Sequence, residues 1–199
     1  APSEPMSPVR PEFVPAPGLS REEMAALQRD IAGTAVFADD LPFDPATVGA
    51  PDGPIVAGVD QAFLDDRAVS AVVGWRGGAV VERAHAVSSL DLPYVPGLLA
   101  FREGGPALDA FAALDADPDL ALVDGSGRIH FRQAGLATHL GVVLDLPTVG
   151  VAKSLLCGTP RDPVDGRPAG WRTPVEVRGD DDVEARSEEH TSELQSPSA

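Results

Sequence analysis

The spacing of apolar and polar positions changes several times along the chain, and each change marks an element. Residues 1–19 are proline-rich and show no apolar periodicity, so they are expected to be mobile. Ser20 and Glu23 then form a capping box, and Met24, Leu27 and Ile31 recur at helical spacing, which predicts a helix from 21 to about 33. Residues 39–54 hold four prolines and an acidic bias and are predicted to be loop. Three strands are predicted next, at 55–60, 68–75 and 79–87, with Arg76-Gly77-Gly78 turning the last two into a hairpin. Such short turns imply an antiparallel meander. Two prolines stiffen the loop Leu92-Pro93-Tyr94-Val95-Pro96-Gly97. A helical stretch follows over 98–114, and Gly104-Gly105-Pro106 is predicted to stop one helix and start another, leaving Glu103 at a helix end. Finally, an apolar run over 120–123 delivers Asp124 into Gly125-Ser126-Gly127, a helix is predicted over 133–144, and a second apolar run over 148–152 ends on Lys153. That last unit has the length of a βαβ crossover.

The order β-β-β-α-β-α-β describes an α/β protein whose mixed sheet has three antiparallel strands followed by parallel ones, flanked by helices. Ligands of open sheets bind beyond the carboxyl ends of the parallel strands, where Asp124 and Lys153 fall. Asp60 closes the first strand and Glu103 lies near the first crossover helix, so three carboxylates are expected to converge on one edge. Oxygen ligands of this kind suit a hard divalent cation, magnesium or manganese. Two such ions ~4 Å apart can activate water and hold the leaving oxygen of a phosphoryl displacement. The arrangement resembles the ribonuclease H-like one and points to a nuclease. Each residue also has a plainer reading: Asp60 as the cap of a turn, Glu103 as a surface glutamate, Lys153 as a chance cation.

Composition narrows the choice. With 199 residues and 43% apolar content, one sizeable core is expected. No apolar run is long enough to cross a bilayer, which together with a single cysteine suggests a cytoplasmic protein without membrane partners. Cys157 reads as a small buried hydrophobe. The net charge of −16 argues against indiscriminate coating of nucleic acid. Yet residues 125–178 carry seven Lys/Arg against four Asp/Glu, a local cationic rim on an acidic body. Among 14 arginines Lys153 is the single lysine, and a compact ammonium fits beside a phosphate where a planar guanidinium does not. His139 lies among Leu136, Leu140 and Val143 at helical spacing, so packing competes with any catalytic role and it stays a weak candidate. His85 and Trp75 read as packing residues, and Gln61 as a neighbour of the site without a role.

Five segments, in order, resemble the endonuclease V family: Val56-Ala57-Gly58-Val59-Asp60; Pro93 to Gly97 continuing through Leu98-Leu99-Ala100-Phe101-Arg102-Glu103; Asp124-Gly125-Ser126-Gly127 with His130; Gly135-Leu136-Ala137-Thr138-His139-Leu140-Gly141; and Gly150-Val151-Ala152-Lys153. The resemblance implies a magnesium-dependent DNA repair endonuclease that recognises deaminated adenine (hypoxanthine, deoxyinosine) and hydrolyses the second phosphodiester bond 3′ to the lesion; some relatives act on inosine in RNA. It implies that Asp60, Glu103 and Asp124 bind metal, that Lys153 lies near the scissile phosphate, and that His130 serves in the loop after the second aspartate. Tyr94 would be the wedge that enters the duplex, carried by Pro93 and Pro96, while Gly97, Gly125 and Gly127 let backbone approach the extruded base. Phe131 departs from the family, which usually has proline there. A monomer is expected.

The domain implied spans 20–178, incomplete at its C-terminus, with 179–199 an unstructured tail; residues 186–196 look like translated sequencing-adapter DNA. A chain shortened in this way is expected to be a weak enzyme. The rival expectation is a ribonuclease H-like module that holds nucleic acid without cutting it.

Overall fold

The computed structural model describes residues 5–90, 92, 93, 95 and 97–176. Helix α1 (Arg21–Thr34) opens on the expected capping box: the Ser20 hydroxyl accepts from the Glu23 N–H, and the Glu23 carboxylate accepts from the Ser20 N–H. The sheet is built from β1 (Val56–Leu64), β2 (Arg67–Arg76), β3 (Ala79–Ser89), β4 (Leu120–Asp124) and β5 (Thr148–Val151), in the spatial order β3-β2-β1-β4-β5. Pairs β1–β2 and β2–β3 are antiparallel, whereas β1–β4 and β4–β5 are parallel. This is the mixed sheet expected from the order of elements. Helix α2 (Leu99–Ala112) packs on β2 and β3, and α3 (Leu136–Leu144) packs on β5, on α2 and on α1. A small antiparallel pair, β6 (Thr159–Pro160) with β7 (Val175–Glu176), lies beyond the sheet.

The main core joins Ala57, Val59, Val72, Ala121 and Val123 of the strands to Ala107 and Phe111 of α2, to Leu114, and to Leu136, Leu140 and Val143 of α3. Phe111 is fully buried, and emptying such a position costs about 3–5 kcal/mol. Core pressure on one face explains the alternation of buried and half-buried positions along β2.

Three expectations are corrected. First, α2 runs unbroken through Gly104-Gly105-Pro106, so Glu103 sits in its second turn and not at a helix end. Burial of Ala100, Phe101, Ala107, Ala110 and Phe111 along one side of α2 outweighs the local breaker signal, and Gly104 packs against the Pro15 ring, with 3.0 Å between that ring and a Cβ placed on the glycine. Second, β1 does not stop at Asp60. Its parallel pairing with β4 ends at Val59↔Val123, while its antiparallel pairing with β2 continues to Leu64↔Arg67. Asp60 therefore marks the end of the central, parallel part of the strand. Third, residues 5–19 are fastened to α3 where mobility was expected. The Val9 and Arg10 N–H groups donate to the Val143 carbonyl at 2.8 and 3.1 Å, and Phe13 and Val14 pack on the core. The expected tail, 179–199 with 186–196, lies outside the described residues, as do Tyr94 and Pro96. Among the described residues no helix is long and apolar enough to cross a membrane.

Candidate active site

The end of the parallel pairing places two carboxylates side by side. Asp60 follows Val59 on β1, Asp124 follows Val123 on β4, and Val59 is paired with Val123. Asp60 Oδ1 accepts from the N–H of Gln61 at 2.7 Å, which fixes one carboxylate on its strand. Partial burial raises the Asp124 pKa, the Asp60 carboxylate raises it further, Lys153 pulls it down, and a hydrogen bond between the two aspartates adds to the rise.

Glu103 reaches this pair from α2. Its residue is 8% exposed, and its pKa is pushed up to about 7, chiefly by burial and also by Asp124 and Asp60, against the pull of the neighbouring Arg102. Gln61 ties the helix to the sheet here. Its Nε2 donates to the Glu103 carbonyl at 3.1 Å while its Oε1 accepts from the Ser70 hydroxyl at 3.0 Å. Arg102 lies 4.7 Å over the Phe63 ring. Among the described residues no three His, Cys, Asp or Glu side chains close into a ready-made metal cage. The structure instead brings the Asp60, Asp124 and Glu103 carboxyls within electrostatic range of one another, with Lys153 drawing on Asp124 and Arg102 on Glu103. Such a donor set, oxygen only and short of a cation, fits a hard divalent ion.

Lys153 stands two residues beyond Val151, the partner of Asp124 on β5. It is exposed and within electrostatic range of Asp124. The loop after β4 is held by backbone: the Gly125 N–H donates to the Val151 carbonyl at 2.8 Å, and the Gly127 carbonyl accepts from the Gly135 N–H at 3.0 Å. Gly150 of β5 lies so close to Gly125 and Gly127 that any Cβ there would collide with their backbone. Only glycine fits that crossing.

A second group of expected residues assembles on two loops. Pro93 is exposed, and Gly97 is buried at the end of the same loop, with φ +78°. A Cβ on Gly97 would meet the Phe131 ring at 3.2 Å. His130 is 4% exposed. Its Nδ1 accepts from the Arg132 N–H at 3.2 Å, and its ring bonds the Gly97 backbone. Burial first, then the Arg132 charge, depress its pKa to about 4, against that backbone bond. A neutral His130 with Nδ1 accepting must carry its proton on Nε2. His139 belongs elsewhere: it is fully buried in α3, its Nε2 bonds the Phe13 carbonyl at 2.6 Å, and its ring meets Phe101 edge-on. It packs and fastens the N-terminal segment.

The Endonuclease V family model matches residues 46–180. The chain is 61% identical over 167 residues to an endonuclease V of Natronomonas pharaonis, covering 84% of this chain and 67% of that one. This chain belongs to the endonuclease V family. A second endonuclease V, from Haloarcula marismortui, is 55% identical over 197 residues, covering 89% of this chain and 72% of the relative. Among solved structures, an endonuclease V of Streptomyces avermitilis matches with TM-score 0.69 at 40% identity, over 89% of this chain and 74% of that one. An endonuclease V of Ciona intestinalis, in complex with a 24mer DNA containing an inosine followed by a ribo-adenosine, matches with TM-score 0.60 at 30% identity, over 67% of this chain and 57% of that one.

Within this endonuclease V fold, Asp60, Glu103, Asp124 and Lys153 come to one rim, and Gly97 and His130 meet where the loop before α2 packs on the loop after β4. Three residues that hold these groups in place were not singled out as functional from the sequence: Gln61, Gln28 and Arg132. The signal for Gln28 is visible in retrospect, because it falls on the same side of α1 as Met24 and Ile31, a polar residue on an apolar stripe. Gln61 and Arg132 carried no comparable sign, since each acts through contacts far along the chain.

Proposed function

We propose that this chain is a magnesium-dependent endonuclease that recognises hypoxanthine in nucleic acid and hydrolyses the second phosphodiester bond on the 3′ side of the lesion. The observation that carries the reading is the juxtaposition of Asp60, Asp124 and Glu103, short of positive charge, with Lys153 beside them. Asp60, Asp124 and Glu103 would hold the metal, with manganese able to replace magnesium. Bound there, the ion supplies Lewis-acid activation of water and charge neutralisation at the phosphate.

The chain's own residues do the rest. Glu103, whose pKa burial pushes up to about 7, can give up a proton near neutrality as a cation arrives. Lys153, exposed on the same rim, offers an ammonium to a phosphate oxygen where negative charge builds. Neutral His130 braces Gly97 through its ring. Tyr94, with Pro93 and Pro96, is assigned the wedge, and Gly97, Gly125 and Gly127 the backbone that approaches the extruded base. The family kinship supports nucleic acid as substrate, and the relative bound to inosine-containing DNA supports the lesion.

The test is a duplex with one hypoxanthine, incubated with the chain in magnesium or in a chelator. The reading requires a nick, and only with magnesium. Retention of the duplex in a gel without any cut would leave a binding module. An otherwise identical substrate with inosine as a ribonucleotide decides between DNA and RNA preference.

A further inference from the structure

We infer that Gln28, on the N-terminal helix, is a positioning residue that clamps the Gly97 loop to the His130 loop and thereby sets how sharply the site discriminates its lesion. The inference deepens the proposed function and rests on it. Gln28 is fully buried, and every polar atom of its amide is engaged. Its Nε2 donates to the Gly97 carbonyl at 3.0 Å and to the Ala134 carbonyl at 3.4 Å. Its Oε1 accepts from Arg132 Nε at 2.6 Å. Arg132 in turn donates from Nη2 to the same Gly97 carbonyl at 3.3 Å, and from its backbone N–H to His130 Nδ1. One carbonyl, that of Gly97, thus gathers donors from helix α1 and from the loop after β4.

A buried amide among apolar side chains is costly unless its hydrogen bonds are met. Here they are met by three segments distant in sequence, which fixes their relative positions. Gly97 directly follows residues 93–96, the loop assigned to the wedge, and its positive φ and the Phe131 ring leave it little freedom. A recognition loop fixed before binding loses less entropy when it engages a duplex, so the clamp should act on binding and selectivity. The hydrogen bonds of the clamp run among Gln28, Gly97, Ala134, His130 and Arg132, whereas the carboxylates lie on β1, β4 and α2, so turnover of bound substrate should be spared. Helix α1 also precedes residues 46–180, the stretch matched by the family model, so the clamp comes from outside it.

Gln28→Glu separates the two ends of the amide: it keeps an acceptor for Arg132 and removes the donor to Gly97. Gln28→Met fills the same space with no polar group and stands in should the glutamate not fold. Ile31→Val, one turn further along α1, weakens the packing of the same helix, against Ala134 and Val142, and leaves every hydrogen-bonding group of the clamp in place. Two readouts are needed: the kcat/KM ratio for hypoxanthine over undamaged duplex, and hydrogen exchange of the backbone amides of residues 97–101. Both Gln28 variants should lower the ratio about tenfold, mainly through KM, and speed exchange there, while Ile31→Val changes neither. Wild-type ratio and exchange in the Gln28 variants, or an equal fall of the ratio in Ile31→Val, would overturn the clamp. If the wild-type chain does not nick, the proposed function fails, and the exchange comparison alone decides whether Gln28 fixes the loop.

Discussion

The acidic rim and the Gly97–His130 junction are held by different means. Asp60 and Asp124 are delivered by strands whose ladder is complete, so their positions follow from backbone pairing and their side chains are left in electrostatic tension. Gly97 and His130 sit on loops and are held by side chains: Gln28, Arg132 and the histidine itself converge on backbone carbonyls and amides. Rigid elements suit atoms that must meet a cation within tenths of an ångström, while a bonded but breakable junction suits a loop that must fit around a duplex. The comparison predicts that substitutions on the rim abolish chemistry with the fold intact, and that substitutions at the junction alter selectivity.

The largest effect should come from Asp124→Asn. Nicking of a hypoxanthine duplex should fall on the order of a thousandfold or more, with melting temperature at or above wild type because a strained carboxylate has been neutralised. Comparable loss of activity and stability together would mean that Asp124 serves the fold. Lys153→Arg comes next: the charge is kept and the shape changed, and a loss of roughly a hundredfold in rate is expected in single-turnover assays. Unchanged kinetics would make Lys153 an ordinary surface cation. Tyr94→Ala should act on the other side of the comparison. It should cut selectivity for hypoxanthine in a duplex about tenfold while sparing a flexible single strand, since a wedge matters only where a stack must be opened. Equal losses on both substrates would assign Tyr94 to bracing its loop.

These differences also explain which parts could be read in the sequence. The meander and the βαβ unit were legible because short apolar runs bounded by glycine turns leave few alternatives, and the ladder then places Asp60 beside Asp124 automatically. The path of α2 was not legible: Gly104-Gly105-Pro106 is a strong local stop, and only the burial of Phe101 and Phe111 on either side shows why the helix continues. Residues 61–64 of β1 were missed because Phe63 and Leu64 are exposed and held mainly by pairing with β2. The fastening of residues 5–19 rests on backbone bonds to Val143 and on His139, contacts that no periodicity announces. The junction was half legible. Gly97 and His130 stood out through the family resemblance, but Gln28 and Arg132 depend on contacts more than a hundred residues apart.

The smallest effect concerns His139. Burial holds its pKa at about 4 in the folded chain, below the 6.5 of an exposed histidine. Between those values the unfolded chain binds the extra proton, so the contribution is intact above pH 6.5 and is lost as pH falls toward 4, by at most ~1.4 kcal/mol per pH unit. His139→Gln keeps a donor for the Phe13 carbonyl without titrating. The melting temperature of wild type should therefore drop more steeply than that of the variant between pH 6.5 and 5. Parallel curves would show that His139 does not govern this slope.

The central claim is that Asp60, Asp124 and Glu103 form a centre completed by a divalent cation. Calorimetric titration of magnesium into the chain without substrate, at pH 7 and in buffers of different ionisation enthalpy, tests it most directly. Saturable binding with release of protons, abolished in Asp124→Asn, is the result expected. Magnesium-dependent nicking by a chain that binds the ion equally well with and without the Asp124 carboxylate would contradict the assignment and place the metal elsewhere.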